Sequence, residues 1–150
     1  MSYLEIVRTV ASVVGALSVI VILHQIKMNG RRATTQFENE LVSEYRNIVN
    51  EIPLEALLSE ELSQSEHEQN LPEFYRYIDL SNEQIFLRQE NQISEKTWRN
   101  WCEGIESNFS KPAFERAWCE VKRRSDSFCE LRKLHGEDFD TDPLLWSDDN

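Results

Sequence analysis

The side chains able to do chemistry in this 150-residue chain are few, and their spacing is restrictive. Cys102, Cys119 and Cys129 stand 17 and 10 positions apart, which matches no zinc-ligand pattern. His67 and His135 are the only histidines outside the apolar N-terminal stretch that holds His24. Cys102 and Cys119 follow Trp101 and Trp118 on faces that helical periodicity makes apolar, so packing accounts for them better than nucleophilic chemistry. His67 lies in a polar run and reads as solvated. The chain contains no phosphate-binding loop, no dinucleotide fingerprint and no His-Glu-x-x-His.

Three clusters fit a known chemistry in part. Asp138, Asp140 and Asp142 have the spacing of the first three ligands of a calcium loop. Pro143 then takes the place of the turn glycine, and Asp149 that of the final glutamate. Small helical nucleases bring an arginine and a histidine together from a longer interval than the two residues between Arg132 and His135, so helix capping explains that pair better. Lys122, Arg123 and Arg124 could meet anionic lipid or an acidic segment, and otherwise form the solvated end of a helix. No catalytic, cofactor-binding or metal-binding set emerges.

The elements that must carry these residues follow from charge and periodicity. Net charge is −11, the isoelectric point is near 4.7 and mean hydropathy is −0.55, values that suggest a soluble acidic protein. Such acidity disfavours general nucleic-acid binding, which depends on Lys and Arg. With four glycines and four prolines there is little material for a turn-rich β fold. The charge is unevenly placed, however: residues 1–32 carry +3 and residues 33–150 carry −14.

Between Arg8 and Lys27 lie 18 residues with no formally charged group, TVASVVGALSVIVILHQI. As a helix they extend about 27 Å, close to the hydrocarbon thickness of a bilayer. The run is apolar on all faces and lacks a small-residue cleavage site, so it reads as an uncleaved membrane anchor. Ala11 and Gly15, Ser12 and Ala16, and then Ser18 form a small-residue stripe of the kind that packs helices in lipid, which points to a homo-oligomer. Lys27, Arg31 and Arg32 outnumber Arg8 at the two ends, placing the acidic part in the cytoplasm. Three thiols, an odd number, agree with a reducing compartment.

The remainder reads as all-α, a bundle of four to five helices over residues 33–136, between an anchor at 1–32 and an acidic tail at 137–150. Gly30 is expected to loosen the chain after the anchor. Phe37, Leu41, Tyr45, Ile48 and Ile52 recur at helical spacing up to Pro53, and residues 54–62 suit a short helix. Residues 61–70 read as a loop, with Pro72 in the first turn of the next helix. Ser94 caps a helix bearing Trp98, Trp101, Cys102, Ile105 and Phe109. Ser110 and Pro112 start another that carries Phe114, Trp118, Phe128 and Leu131 to a stop at Gly136. The tail holds six carboxylates, and Leu144, Leu145 and Trp146 within it can dock on the bundle.

Residues 75–118 carry Tyr77 with Asp79 and Leu80, Glu83, the Ile93-Ser94 helix start, Trp98 with Trp101, Gly104-Ile105, Pro112, Phe114 and Trp118. On these residues the chain resembles uncharacterised bacterial DUF4760-like proteins, which join an N-terminal membrane helix to a small helical domain. The resemblance implies a fold and a location; it implies no activity and supplies no catalytic residues. In layout alone the chain is also similar to membrane-anchored helical accessory proteins of bacterial antiviral systems, some of which form oligomeric pores. The expected function is therefore a single-pass, non-enzymatic inner-membrane protein that assembles or recruits partners at the cytoplasmic face. Lys27, Arg31, Arg32, Lys122, Arg123 and Arg124 are its candidate contacts to lipid or a protein partner. An oligomeric membrane effector of antiviral defence and a divergent helical nuclease are the alternatives.

Overall fold

The computed structural model describes residues 3–146, with side chains described at 25, 27–30 and 32–146. The described chain is all-helical: α1 (Tyr3–Glu51), α2 (Leu54–Leu57), α3 (Gln64–Gln89), α4 (Glu95–Phe109), α5 (Pro112–Arg124), α6 (Cys129–Gly136) and a 3₁₀ turn, Pro143–Leu145. It forms two compact units, Met1–Phe37 and Glu38–Asn150.

In the first unit the helix runs through Gly30, contrary to the expected loosening; Thr34 Oγ1 donates to the Gly30 carbonyl at 3.1 Å. Among the described residues no helix is long and apolar enough to cross a membrane. The uncharged stretch 9–26 lies, apart from Gln25, outside the residues whose side chains are described.

The second unit is built around α3. One face of this helix buries Phe74, Tyr77, Ile78, Ser81, Ile85 and Arg88, at the intervals expected of a helix stripe. Against it lie Phe109 of α4, Phe114 and Trp118 of α5, and Leu131 and Leu134 of α6, all buried. The rings meet mostly edge to face: Phe74 and Phe114 at 5.0 Å, Tyr77 and Phe114 at 5.1 Å, Phe109 and Trp118 at 5.8 Å. Pairs of this geometry are each worth about 0.5–1.5 kcal/mol beyond their area burial. Leu41 and Ile48 from the later turns of α1, and Ile52 just beyond its end, complete the core.

Several boundaries differ from those expected. The polar run 61–70 is mostly helix, because Ser63 forms a capping box: its hydroxyl accepts from Glu66 N–H and the Glu66 carboxylate accepts from Ser63 N–H at 2.9 Å. Pro72 consequently sits inside α3, not in its first turn. Residues 54–62 yield only one turn of helix, with Leu54 and Leu58 exposed. Ser94 does cap α4 and Pro112 does open α5, but Lys111, not Ser110, holds the α5 N-cap position and makes no side-chain cap bond. The helix expected to run on to Gly136 breaks at Ser125, leaving two, and Phe128 adopts a left-handed conformation at φ 66°.

Three helix ends close in the same way without glycine. After α3, Asn91 is left-handed at φ 56°, its N–H donates to Arg88 O, and Gln92 N–H donates to Leu87 O. Ser59 after α2 and Asp138 after α6 repeat this paired arrangement. Gly136, the expected stop, is the last helical residue, and the left-handed positions are Asp138 and Phe139.

Candidate functional site

The structure distributes the sequence-selected residues unequally. The small-residue stripe of Ala11, Ser12, Gly15, Ala16 and Ser18, and the side chain of Arg31, lie outside the described residues. Lys27 and Arg32 are exposed. In the α5 group, Lys122 Nζ sits 5.3 Å from the Trp118 ring centroid, Arg124 pairs with Glu120 at 3.3 Å, and Arg123 is exposed. Each such cation–π or surface ion-pair contact is worth at most about 1 kcal/mol, so two of the three cations have modest structural roles.

Arg132 and His135 are brought together around Trp118. The Arg132 guanidinium carbon lies 5.6 Å from that ring and the His135 ring centroid 6.2 Å from it. Arg132 is committed to the backbone: Nε donates to Ser127 O at 2.9 Å, and Nη2 donates to Lys122 O at 3.2 Å and to Ser125 O. The bonds to Lys122 and Ser125 satisfy carbonyls at the end of α5 that the helix itself leaves without partners. His135 packs among Phe109, Trp118 and Phe139; burial, and then the nearby Lys122 charge, holds its imidazole below the ordinary histidine range.

His67 is not solvated. It is 1% exposed within α3, and its Nε2 lies 2.9 Å from Glu120 Oε2. That hydrogen bond, before other influences, lowers the Glu120 carboxyl. His67 Nδ1 and Trp118 Nε1 are buried without a hydrogen-bond partner.

The thiols also depart from expectation. Cys119 and Cys129 are exposed, so the apolar-face assignment of Cys119 fails, whereas Cys102 is half-buried and its Sγ donates to Phe139 O at 3.6 Å. Burial first, and then nearby carboxylates led by Glu106, push the Cys102 thiol up to about 11, the wrong direction for a nucleophile.

The acidic tail is fastened to the bundle as far as Trp146. Arg88, 4% exposed, donates from Nε to Asp142 Oδ1 at 2.9 Å, from Nη2 to Asp142 Oδ2 at 2.6 Å and from Nη1 to Ile93 O at 2.9 Å. Asp142 Oδ1 also accepts from Leu144 N–H, which caps the 3₁₀ turn, and Pro143 is buried. Trp146 Nε1–H donates to Glu137 at 3.1 Å under the Lys133 ammonium, 4.6 Å from its ring. Leu144 and Leu145 remain exposed. Asp142, the third calcium-like position, is therefore occupied by Arg88. Among the described residues no group of His, Cys, Asp and Glu is placed to hold a metal ion.

One concave feature was not legible in the residue types. Between the later part of α1, α3 and α4 lies a groove of about 300 Å³. Val42 and Tyr45 contribute from α1, Trp101 and Ile105 from α4, and Gln84 from α3. Tyr45 and Tyr77 stand 6.2 Å apart, and the buried Tyr77 hydroxyl accepts from Asn108 Nδ2 at 2.8 Å. Burial raises the Tyr77 phenol above its ordinary value, so it stays neutral at physiological pH. Arg46 and Asn100 are the groove's remaining polar residues, and Gly104 leaves one side without a side chain. The only earlier signal was Trp101, which the helical stripe assigned to the core and which is half-exposed. Comparison of the chain with protein-family models, with curated proteins and with solved structures yields no match.

Proposed function

We propose that the protein is a single-pass, membrane-anchored helical module that assembles or recruits partners at the cytoplasmic face of a bacterial inner membrane. The observation that carries this reading is the uncharged 18-residue run between Arg8 and Lys27, followed by Arg31 and Arg32. Lys27, Arg31 and Arg32 would lie at the headgroups, and Arg123 offers a further cation to lipid or a partner. A binding role is supported by how the reactive groups are used. Arg132 closes a helix end, His135 lies in an aromatic cluster and Asp142 holds the tail, so each already performs a structural task.

The test uses the exposed thiols. Cys119 and Cys129 should react with a membrane-impermeant maleimide only after the inner membrane is opened, and the protein should stay in the pellet after alkaline carbonate washing. Labelling in intact spheroplasts, or release by carbonate, would overturn the proposal. Assembly of the anchors through Ala11, Gly15 and Ala16, as an oligomeric membrane effector would require, is a second reading favoured by the small-residue stripe. It predicts that Gly15→Leu reduces cross-linked multimers in membranes; an unchanged ladder would remove it.

A further inference from the structure

The C-terminal segment is joined to α6 through a short, strained hinge. Asp138 and Phe139, which follow the helix cap at Glu137, are both left-handed, at φ 53° and 61°. Residues with a Cβ resist this region, and a bulky one such as Phe139 resists it most. Phe139 is held there because its N–H donates to Leu134 O at 3.0 Å and its ring packs 5.5 Å from that of His135. Beyond the hinge, the contacts that fasten residues 140–146 are made with residues that precede it. Asp142 accepts two hydrogen bonds from Arg88, the turn at Pro143–Leu145 packs on α3, and Trp146 donates to Glu137 under the Lys133 ammonium. A second copy of the chain presents the same docking site. Exchange of an identical segment between copies preserves these contacts and alters only the hinge backbone. A short hinge under strain favours that exchange.

We propose that two copies of this chain exchange their C-terminal straps: residues 140–146 of each dock on Arg88, Lys133 and Glu137 of the other, and Asp138 and Phe139 extend to bridge them. The exchange uses only the Glu38–Asn150 unit and does not depend on the membrane reading. Residues 33–150 carry −14, but repulsion between exposed charges is screened beyond about 8 Å at physiological ionic strength.

The test co-expresses two full-length copies that can be joined only across the exchange. One carries Arg88→Lys together with Asp142→Asn, and the other keeps both native residues. Asp142 is 28% exposed, so a carbodiimide can activate it for attack by the introduced lysine. The expected product is a covalent dimer whose linked peptides contain positions 88 and 142. Arg88→Lys alone, which keeps Asp142, provides the positive control for that linkage. Lys133→Cys in one copy and Trp146→Cys in the other, joined by a short bismaleimide, read the far end of the strap independently. Asp138→Val, at an exposed position, should raise the yield between copies about tenfold, because a β-branched residue resists the left-handed hinge. A Gly-Gly-Ser insertion between Asp138 and Phe139 relaxes the hinge and should lower the yield about tenfold. Absence of both cross-links between copies would overturn the proposal. A yield indifferent to both hinge changes would mark ordinary side-by-side contact and would also overturn it. Neither hinge change touches the anchor, so failure here is distinguishable from failure of the membrane reading.

Discussion

Asp142→Ala should unfasten the C-terminal segment at a cost that the surrounding geometry sets. The substitution leaves the Arg88 guanidinium, whose side chain is 5% exposed, with Ile93 O as its remaining acceptor, and it removes the cap from Leu144 N–H. Breaking a buried ion pair by deleting one partner costs about 3–5 kcal/mol. Asp142 keeps 28% of its side-chain exposure, which places the expected loss near the lower end, about 3 kcal/mol. A unit of this size has a total stability of roughly 6–15 kcal/mol, so the loss is large. Urea unfolding of the full-length protein in mild detergent, followed by far-ultraviolet circular dichroism, measures it. The double variant Arg88→Met with Asp142→Ala should recover more than half of the loss, because no buried charge then stands alone. The pH dependence has a definite sign. Hydrogen bonds from Arg88, more than its charge, hold the Asp142 carboxyl below its ordinary value of 3.8. The folded state therefore favours the ionised form. The contribution is fully present above the unfolded value and disappears as pH falls through the lower folded one. Wild type and Asp142→Ala should thus differ by a constant amount between about pH 7 and 5 and converge below about pH 4. A loss under about 1 kcal/mol, or a double variant no more stable than the single one, would refute the reasoning.

Three further outcomes follow from particular contacts. Ser63→Ala removes one half of the capping box and should lower stability by about 1 kcal/mol in the same denaturation assay. Asn91→Val should cost about 1–2 kcal/mol because a β-branched residue resists the left-handed backbone there, while Asn91→Gly should be neutral or mildly stabilising. Limited alkylation with iodoacetamide near pH 8, read by peptide mass spectrometry, should modify the exposed Cys119 and Cys129 well before Cys102. Faster reaction at Cys102 would contradict its burial and raised thiol pKa.

The predominance of helix, the cap at Ser94, the helix start at Pro112 and most of the aromatic core were legible from the sequence, because they rest on local spacing. Phe74, Tyr77, Trp98, Phe109, Phe114 and Trp118 recur on helical stripes, and all are buried. The errors arose where a distant residue supplies what the local sequence lacks. Phe128 provides no side-chain cap for α6, yet Asn82 Oδ1 accepts from Leu131 N–H at 3.0 Å and Asn82 Nδ2 donates to Glu130 at 2.9 Å. Glu38, on α1, accepts from Ser94 N–H at 2.8 Å and from Thr97 Oγ1 at 2.9 Å, reinforcing the start of α4. The break between α5 and α6 is sealed by Arg132, whose expected capping role was placed within one longer helix. His67 illustrates the same limit, since polar neighbours in sequence say nothing about Glu120, 53 positions away.

The candidate groove shows this division most sharply. Tyr45, Gln84 and Trp101 belong to three different helices, and no spacing along the chain reveals that they converge. The sequence by itself determined the periodic elements, the uncharged N-terminal run and the separation of a basic start from an acidic remainder, all consequences of local composition and helical period. Only the tertiary structure decided which polar groups are paired, which tail residues are fastened and where a concave surface remains. Each of these depends on contacts between chain segments far apart in sequence, and their energies come from burial and geometry that no single segment encodes.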